Sequence, residues 1–358
     1  MDNRSLRHMM TVALTLIAAA LAQPLIGATP SGPGFAMGTR QATYVDESRP
    51  IKKSMGFEGA ATRRLDVRIW YPAEPAGHGA LPALARGGPF PLVIYSHGTF
   101  GSADNAMHIV RHLVAHGYIV AAPDYPLTSR AAYTHVRFAD PSDVFNQTRD
   151  IRFLIDRLLA DPDIGHAIDP AKIGTTGHSL GAVTSYFTSF GIQTRDPRIA
   201  ATALIAGGDP VQTALTQDMG MAGTGHSESR VPVLLLSADH DVFVRTTGRP
   251  HAAYSRVSGP KTEVLIRGGV HVWFRDGNEV PPDGKNPDCL FFEKFAPQMK
   301  VPGCELRGGL ITPDRQQAIT REALLDFFDA YLKHDQRALA RLRGLGREFR
   351  EVSEVWED

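Results

Sequence analysis

Residues 172–187 have the sequence KIGTTGHSLGAVTSYF, which contains the pattern G-x-S-x-G centred on Ser179. The first five residues are typical of a short buried strand and the last six of an apolar helix. In such a strand–turn–helix junction the serine has strained backbone angles, and Gly177 and Gly181 let the strand and the helix approach each other. We therefore predict that Ser179 is a nucleophile above a helix N-terminus. The alternative is a glycine-rich turn without a catalytic role.

Strand-like and helix-like segments alternate on both sides of this junction. The strand candidates are 64–71, 91–96, 119–122, 172–176, 199–205, 232–237 and 263–266, the last of them being the final strand we expect. The helix candidates are 105–116, 143–159, the segment from 182 onward, 251–257 and 320–333. This alternation predicts an α/β fold with a mostly parallel central sheet and helices on both faces. Functional groups are then expected at the carboxyl ends of the strands.

A serine nucleophile needs a base, which is usually a histidine oriented by a carboxylate. His271 comes directly after the strand candidate 263–266 and its following glycines, and we predict that it is the base, with Val270, Trp273 and Phe274 lining the approach. Asp239 and Asp241 follow the strand candidate 232–237. Asp241 is favoured as the acid because it lies further into the loop, where it can turn toward the histidine.

Two further carboxylates remain as alternatives for the acid. Asp239 is the first of them, and Asp209, after the preceding strand, is the weaker one.

Acyl transfer also needs backbone N–H donors for the oxyanion. The residue after the nucleophile, Leu180, is expected to supply one. The loop 96–101 (SHGTFG) follows a buried strand, and Gly98 permits a turn that directs the Thr99 N–H toward the serine. The alternative is an ordinary glycine-containing loop.

The N-terminus has the layout of a secretory signal peptide. Basic residues precede an uncharged apolar run at 11–22, and small residues follow it. We predict a signal peptide over 1–28, cleaved after Ala22 or Ala28, and a secreted or periplasmic protein with a single catalytic domain over 29–358. The alternative is an uncleaved membrane anchor.

Composition excludes several function classes. Lys+Arg and Asp+Glu both number 38 in 358 residues, so no basic surface suggests a nucleic-acid partner. The two cysteines, Cys289 and Cys304, lack neighbouring histidines and do not form a zinc set, so no metal is expected. In an oxidising compartment they are expected to form a disulfide that closes an excursion over 277–312, although two free thiols remain an alternative.

Six segments, spread over most of the chain and in consistent order, carry a resemblance to a known family. They are DVRIWYPA (66–73), PLVIYSHGTFGS (91–102), QTRDIRFLIDRL (147–158), GHSLGA (177–182), SADHD (237–241) and GGVHVWFRD (268–276). On these the chain resembles the platelet-activating-factor acetylhydrolase and predicted dienelactone hydrolase branch of the α/β-hydrolases. The resemblance implies the α/β-hydrolase fold, and no metal or organic cofactor. It also implies a triad of Ser179, Asp241 and His271, with the Thr99 and Leu180 amides as oxyanion hole.

Two departures narrow what the resemblance implies. True dienelactone hydrolases use a cysteine nucleophile, whereas this chain has Ser179. Polyester-cleaving cutinases, which are similar in layout, carry an aromatic residue where this chain has AGGD at 206–209. Neither dienelactone chemistry nor efficient cleavage of aromatic polyesters is therefore expected.

These features together predict a serine hydrolase of small-molecule or lipid esters, with short-chain or phospholipid-type acyl groups. No insertion of helical size lies between the fifth and seventh strands, so we expect no large cap domain and an open site. An amidase, peptidase or thioesterase with the same triad is the alternative. A non-enzymatic binding module would instead show a damaged triad.

Overall fold

A computed structural model describes residues 34–54, 56–75, 82–134, 139–211, 228–247, 255, 257–277, 279–295, 297–305 and 307–357. The chain divides into two units, Met1–Gly34 and Phe35–Asp358. Only Gly34 of the first unit is described, so the predicted signal peptide at 1–28 lies outside the described residues. Among the residues that are described, no helix combines the length and apolar character needed to cross a bilayer.

The second unit is built on one mixed sheet. Its strands are β1 (Ala36–Asp46), β2 (Arg63–Ala73), β3 (Phe90–Ser96), β4 (Ile119–Asp124), β5 (Ile168–His178), β6 (Ile199–Ile205), β7 (Val233–Ala238), β8 (Lys261–Ile266) and β9 (Val352–Glu357). Their order across the sheet is β1-β2-β4-β3-β5-β6-β7-β8-β9. The stretch from β4 to β8 in this order is parallel, whereas β1, β2 and β9 pair antiparallel toward the two edges. The predicted α/β fold with a mostly parallel sheet is confirmed.

Helices follow most of the central strands. They are α1 (Met107–Ala115), α2 (Val144–Leu159), α3 (Leu180–Phe190), α4 (Val242–Thr247), α5 (Cys289–Phe295), α6 (Pro313–Leu332), α7 (Gln336–Arg343) and α8 (Leu345–Glu348). Because the connections between parallel strands cross over on the sheet faces, the loops that leave the carboxyl ends of β3, β5, β7 and β8 share one edge of the sheet.

The sheet is covered on both faces, as the sequence of β3 predicts. Val93 and Tyr95 of this strand belong to a buried cluster that includes Phe327 of α6. Leu92 and Ile94 belong to a different cluster, which includes α2. Alternate side chains of a strand point to opposite faces, so an uninterrupted apolar run is needed when each face has its own helices. Each fully buried aliphatic side chain contributes about 1.5–3 kcal/mol to folding.

The sheet is larger than the sequence analysis predicts. Strand β1 precedes the first strand candidate, 64–71, and β9 follows the strand predicted to be the last one. Both are edge strands, and β1 is mostly half-exposed or exposed, so neither carries the apolar run that identifies a central strand. Most of the predicted helix 251–257 lies outside the described residues.

Helix α6 begins seven residues before its predicted start at 320. Its first turn, PDRQQ, has no apolar periodicity, but Thr312 Oγ1 accepts a hydrogen bond from the Arg315 N–H (3.3 Å), and Pro313 occupies the first helical position.

Candidate active site

Ser179 lies in the sharp turn between β5 and α3. Its backbone is in the left-handed region, with φ 56° and ψ −121°. A Cβ at Gly177 would collide with the carbonyl oxygen of Gly181, and a Cβ at Gly181 would collide with that of Ser96. The Ser179 N–H donates to the carbonyl oxygen of Ile205 (2.9 Å), which anchors the turn to β6. Such a conformation costs about 1–3 kcal/mol and persists only where the surroundings impose it.

His271 and Asp241 form a buried pair at the carboxyl ends of β8 and β7. The distance between His271 Nδ1 and Asp241 Oδ2 is 2.7 Å, and both side chains are buried. The other carboxylate oxygen, Oδ1, accepts the N–H groups of Phe243 and Val244 at 2.9 Å each, at the start of α4. The carboxylate is therefore fixed by α4 while it orients the imidazole.

The environment of His271 favours its protonated form. Burial lowers the pKa of this imidazole, because it penalises the charged state. The negative charge of Asp241, the hydrogen bond to it and the charge of Asp288 together raise the pKa by more. The pKa therefore lies above the ordinary histidine value of about 6.5.

The two alternative carboxylates lie elsewhere. Asp239 Oδ1 is 2.7 Å from His240 Nδ1 and accepts the Gly268 N–H at 2.7 Å, so it stabilises the turn after β8. Asp209 accepts the N–H of Val211 at 3.1 Å. In the described part of the chain, Asp241 is the carboxylate hydrogen-bonded to the His271 ring.

The loop after β3 approaches Ser179 closely at Gly98, where a larger residue would be crowded. A Cβ there would lie 3.0 Å from both Ser179 Cβ and the carbonyl oxygen of His178. His97 Nε2 accepts the Tyr125 N–H (3.1 Å), so its Nδ1 carries the proton and donates to the Gly98 carbonyl oxygen (2.8 Å). The His97 side chain therefore stabilises the turn at Gly98.

The backbone N–H groups of this loop differ in whether they have a hydrogen-bond acceptor. The Phe100 N–H donates to Thr128 O (2.7 Å), and the Gly101 N–H donates to Gly98 O (2.9 Å). Neither the Thr99 N–H nor the Leu180 N–H, at the first position of α3, has an acceptor among the residues that the structure describes. Both residues border the same cavity as Ser179, so both amides remain candidates for oxyanion donors.

This cavity has a volume of about 1070 Å³ and also reaches His271. Much of its wall is apolar, with Phe100, Leu180, Val183 and Phe243 among the contributing side chains. A site of this size accommodates a drug-sized ligand. Among the described residues, including those of the cavity, no three His, Cys, Asp or Glu side chains are grouped to hold a metal ion.

The chain is similar to a solved esterase structure over most of its length and to a family model over part of it. The ferulic acid esterase from Streptomyces cinnamoneus matches 86% of this chain and 93% of its own, with 23% identity and a TM-score of 0.60. The chain has the α/β-hydrolase fold. A family model described as Chlorophyllase matches residues 80–223, a range that includes Thr99 and Ser179 but ends before Asp241 and His271. No curated protein matches the sequence.

Part of the cavity is built from a region that the sequence analysis did not connect with the site. Cys289 and Cys304 form a disulfide within the predicted excursion 277–312. The same excursion contributes Val280, Leu290 and Phe291 to the cavity. No periodic pattern marks these residues as site residues, since their role depends on how the excursion folds back over the sheet edge.

The predicted approach to the base needs correction. Val270, Trp273 and Phe274 are fully buried, and it is Val272 and Arg275 that border the cavity. The short 3-10 turn Val272–Phe274 explains why different residues line the cavity, because successive side chains of such a turn point in different directions.

Proposed function

We propose that this protein is a carboxylic ester hydrolase in which Ser179 is the nucleophile, His271 the general base and Asp241 the orienting acid. The observation that carries the proposal is the 2.7 Å His271–Asp241 hydrogen bond beside a cavity that also receives Ser179 on its strained turn. The amides of Thr99 and Leu180 are the proposed oxyanion donors.

The chemistry follows from the donor and acceptor assignments. Because Nδ1 of His271 is held by Asp241, Nε2 is the nitrogen available to take the proton of Ser179 Oγ. The oxygen attacks the ester carbonyl carbon, and the oxyanion accepts hydrogen bonds from the two amides. Collapse of this intermediate breaks the bond to the alcohol oxygen, which takes the proton from His271. Water then repeats the sequence on the acyl-enzyme and releases the acid.

The substrate is proposed to be a small-molecule or lipid ester with an apolar acyl or alcohol group. The apolar wall of the 1070 Å³ cavity supports this choice. The family model described as Chlorophyllase and the ferulic acid esterase also favour an ester over other acyl compounds. Export to an oxidising compartment is part of the proposal, and the Cys289–Cys304 disulfide supports it.

The test is a p-nitrophenyl ester series from acetate to palmitate on the protein and on Ser179→Ala. Ser185→Ala is a matched control, because Ser185 is buried on the same helix and its hydroxyl has no hydrogen-bond partner among the described residues. We expect Ser179→Ala to lose activity and Ser185→Ala to keep it. If no ester is turned over while Ser179 still reacts with a fluorophosphonate probe, the ester assignment is wrong and amide or thioester substrates take its place.

A further inference from the structure

A second buried carboxylate lies beside the His271–Asp241 pair. Asp288 belongs to the excursion and is fully buried. Its Oδ2 accepts the N–H of His271 at 2.9 Å and lies 3.4 Å from the N of Val242, and its Oδ1 accepts the N–H of Val272 at 3.0 Å. One side chain therefore hydrogen-bonds the backbone of the proposed base and reaches the residue after the proposed acid.

The segment that carries Asp288 is itself firmly attached. The Asp288 N–H donates to Asn286 Oδ1 (2.9 Å), and Asn286 Nδ2 donates to the carbonyl oxygen of His240 (2.7 Å). The next residue, Cys289, is buried against Val242 and is linked by the disulfide to Cys304. The carboxylate thus reaches the two catalytic loops from a segment that is closed covalently.

Stabilisation of the backbone of His271 and Val272 does not by itself explain why residue 288 is a carboxylate. Burial and the nearby charge of Asp241 raise the pKa of Asp288 to about 6, so its ionised form is costly in the folded protein. A neutral acceptor would bind the same backbone N–H groups without this repulsion. What a carboxylate adds is negative charge next to an imidazole that becomes positive during the reaction.

We propose that Asp288 is a positioning residue for His271, so that one residue of the disulfide-closed excursion supports the proposed base. This inference rests on the proposed ester hydrolase activity. Asp288 fixes the backbone of His271 against the loop of Asp241, and its charge stabilises the imidazolium that forms when Ser179 transfers its proton.

Asp288→Asn tests the proposal, because it keeps the shape and removes the charge. We expect kcat to fall about 10- to 100-fold with KM little changed, the loss typical of removing a charge-assisted hydrogen bond. Among the described residues, Asp241, Asp288 and Arg275 act on the charge of His271, and the His178 ring packs against it. Since Asp288 raises the pKa of His271, its neutralisation moves the acidic limb of kcat/KM to lower pH.

The matched control is Glu293→Gln, an exposed carboxylate on α5 of the same excursion, which should leave kcat and the pH profile unchanged. Rates are divided by the number of sites that a fluorophosphonate titrates, so that partial misfolding of Asp288→Asn does not count as slower chemistry. An unchanged kcat per titrated site, or an unmoved pH profile, overturns the proposal for Asp288. Failure of the ester hydrolase proposal is a separate result, because the unmodified protein would then turn over no ester.

Discussion

His178 packs its ring against that of His271, with the two ring centroids 4.5 Å apart. His178 Nε2 lies 3.1 Å from the carbonyl oxygen of His271, and because a carbonyl only accepts, Nε2 carries the proton. The variable position before the serine in G-x-S-x-G therefore contacts the proposed base directly. Burial, followed by the charge of His271, holds the pKa of His178 well below its ordinary value, so His178 stays neutral while His271 gains a proton.

Replacing His178 by phenylalanine should slow the reaction modestly. His178→Phe keeps an aromatic ring but leaves the His271 carbonyl without this donor. We expect kcat to fall about 3- to 10-fold, since a neutral hydrogen bond contributes ~0.5–1.5 kcal/mol. Steady-state kinetics measure the effect, with His116→Gln at an exposed histidine as the control. A kcat equal to that of the unmodified protein would show that the contact does not hold the base.

The pH dependence of activity should reflect the raised pKa of His271. A protonated imidazole cannot accept the Ser179 proton, so kcat/KM falls as the pH drops through this pKa. The midpoint of the acidic limb is expected above about 6.5, the ordinary histidine value. The pair with Asp241 stabilises the fold below that pH, and this contribution is lost as the pH rises through the raised pKa.

Asp241→Asn removes the main cause of the raised pKa. The acidic limb should move to lower pH, and kcat should fall by about 10⁴-fold, as in other serine hydrolases that lose the orienting carboxylate. Asp239→Asn is the matched control, because Asp239 stabilises a neighbouring turn. If the two variants exchanged these behaviours, the acid would be Asp239.

The site residues differ in how far the sequence could predict them. Ser179 lies in the G-x-S-x-G pattern, whose glycines are typical of a sharp strand–turn–helix junction. His271 and Asp241 follow apolar strands that end at one edge of the sheet. Asp288 and Phe291 carry no such signal. They belong to an excursion whose sequence has no helical or strand periodicity. They reach the site because the excursion packs over the sheet edge, and the local sequence pattern does not reveal this packing. The same limit explains β1 and β9, whose pairing at the sheet edges depends on neighbours distant in sequence.

A buried polar bridge links α3, the helix that follows Ser179, to the loop that contains Thr99. Thr184 Oγ1 donates to Gln147 Oε1 (2.6 Å), and Gln147 Nε2 donates to Thr128 Oγ1 (2.8 Å). The Thr128 carbonyl oxygen in turn accepts the N–H of Phe100, next to Thr99. All three polar side chains are fully buried, so the bridge fixes the loop relative to Ser179.

Gln147→Leu should therefore impair both stability and catalysis. The buried Thr128 hydroxyl loses its partner, which costs about 1–3 kcal/mol of unfolding free energy, whereas the Thr184 hydroxyl can still donate to the carbonyl oxygen of Leu180 (3.2 Å). We expect kcat to fall about 10-fold with KM less affected, because the loop that carries the Thr99 amide loses this support. Thr128→Val breaks only the link to the loop, so the two substitutions combined should cost less than the sum of their separate effects. If the effects of the two substitutions on kcat were additive, Gln147 and Thr128 would not act through the same hydrogen-bonded bridge.

Phe291 should determine how well long acyl or alcohol groups bind. Its ring centroid lies 5.4 Å from that of Phe243, which lies 4.6 Å from that of His271, and Phe291 is 40% exposed at the cavity. Phe291→Ala should raise KM about 5- to 30-fold for a p-nitrophenyl octanoate, because ~1–2 kcal/mol of apolar contact is lost. The KM for acetate should hardly change. Ile192→Ala, at an exposed apolar residue outside the cavity lining, is the control.

The disulfide should matter for activity as well as for stability. Cys289 and Cys304 are 15 residues apart, and a closed loop of this length is worth about 3 kcal/mol in the chain-entropy account. Replacing both cysteines by serine should lower the unfolding free energy measured in urea by about 2–4 kcal/mol. Because Asp288 immediately precedes Cys289, kcat per titrated Ser179 should fall as well. A variant that lost stability but kept its full kcat would show that the disulfide supports the excursion without supporting His271.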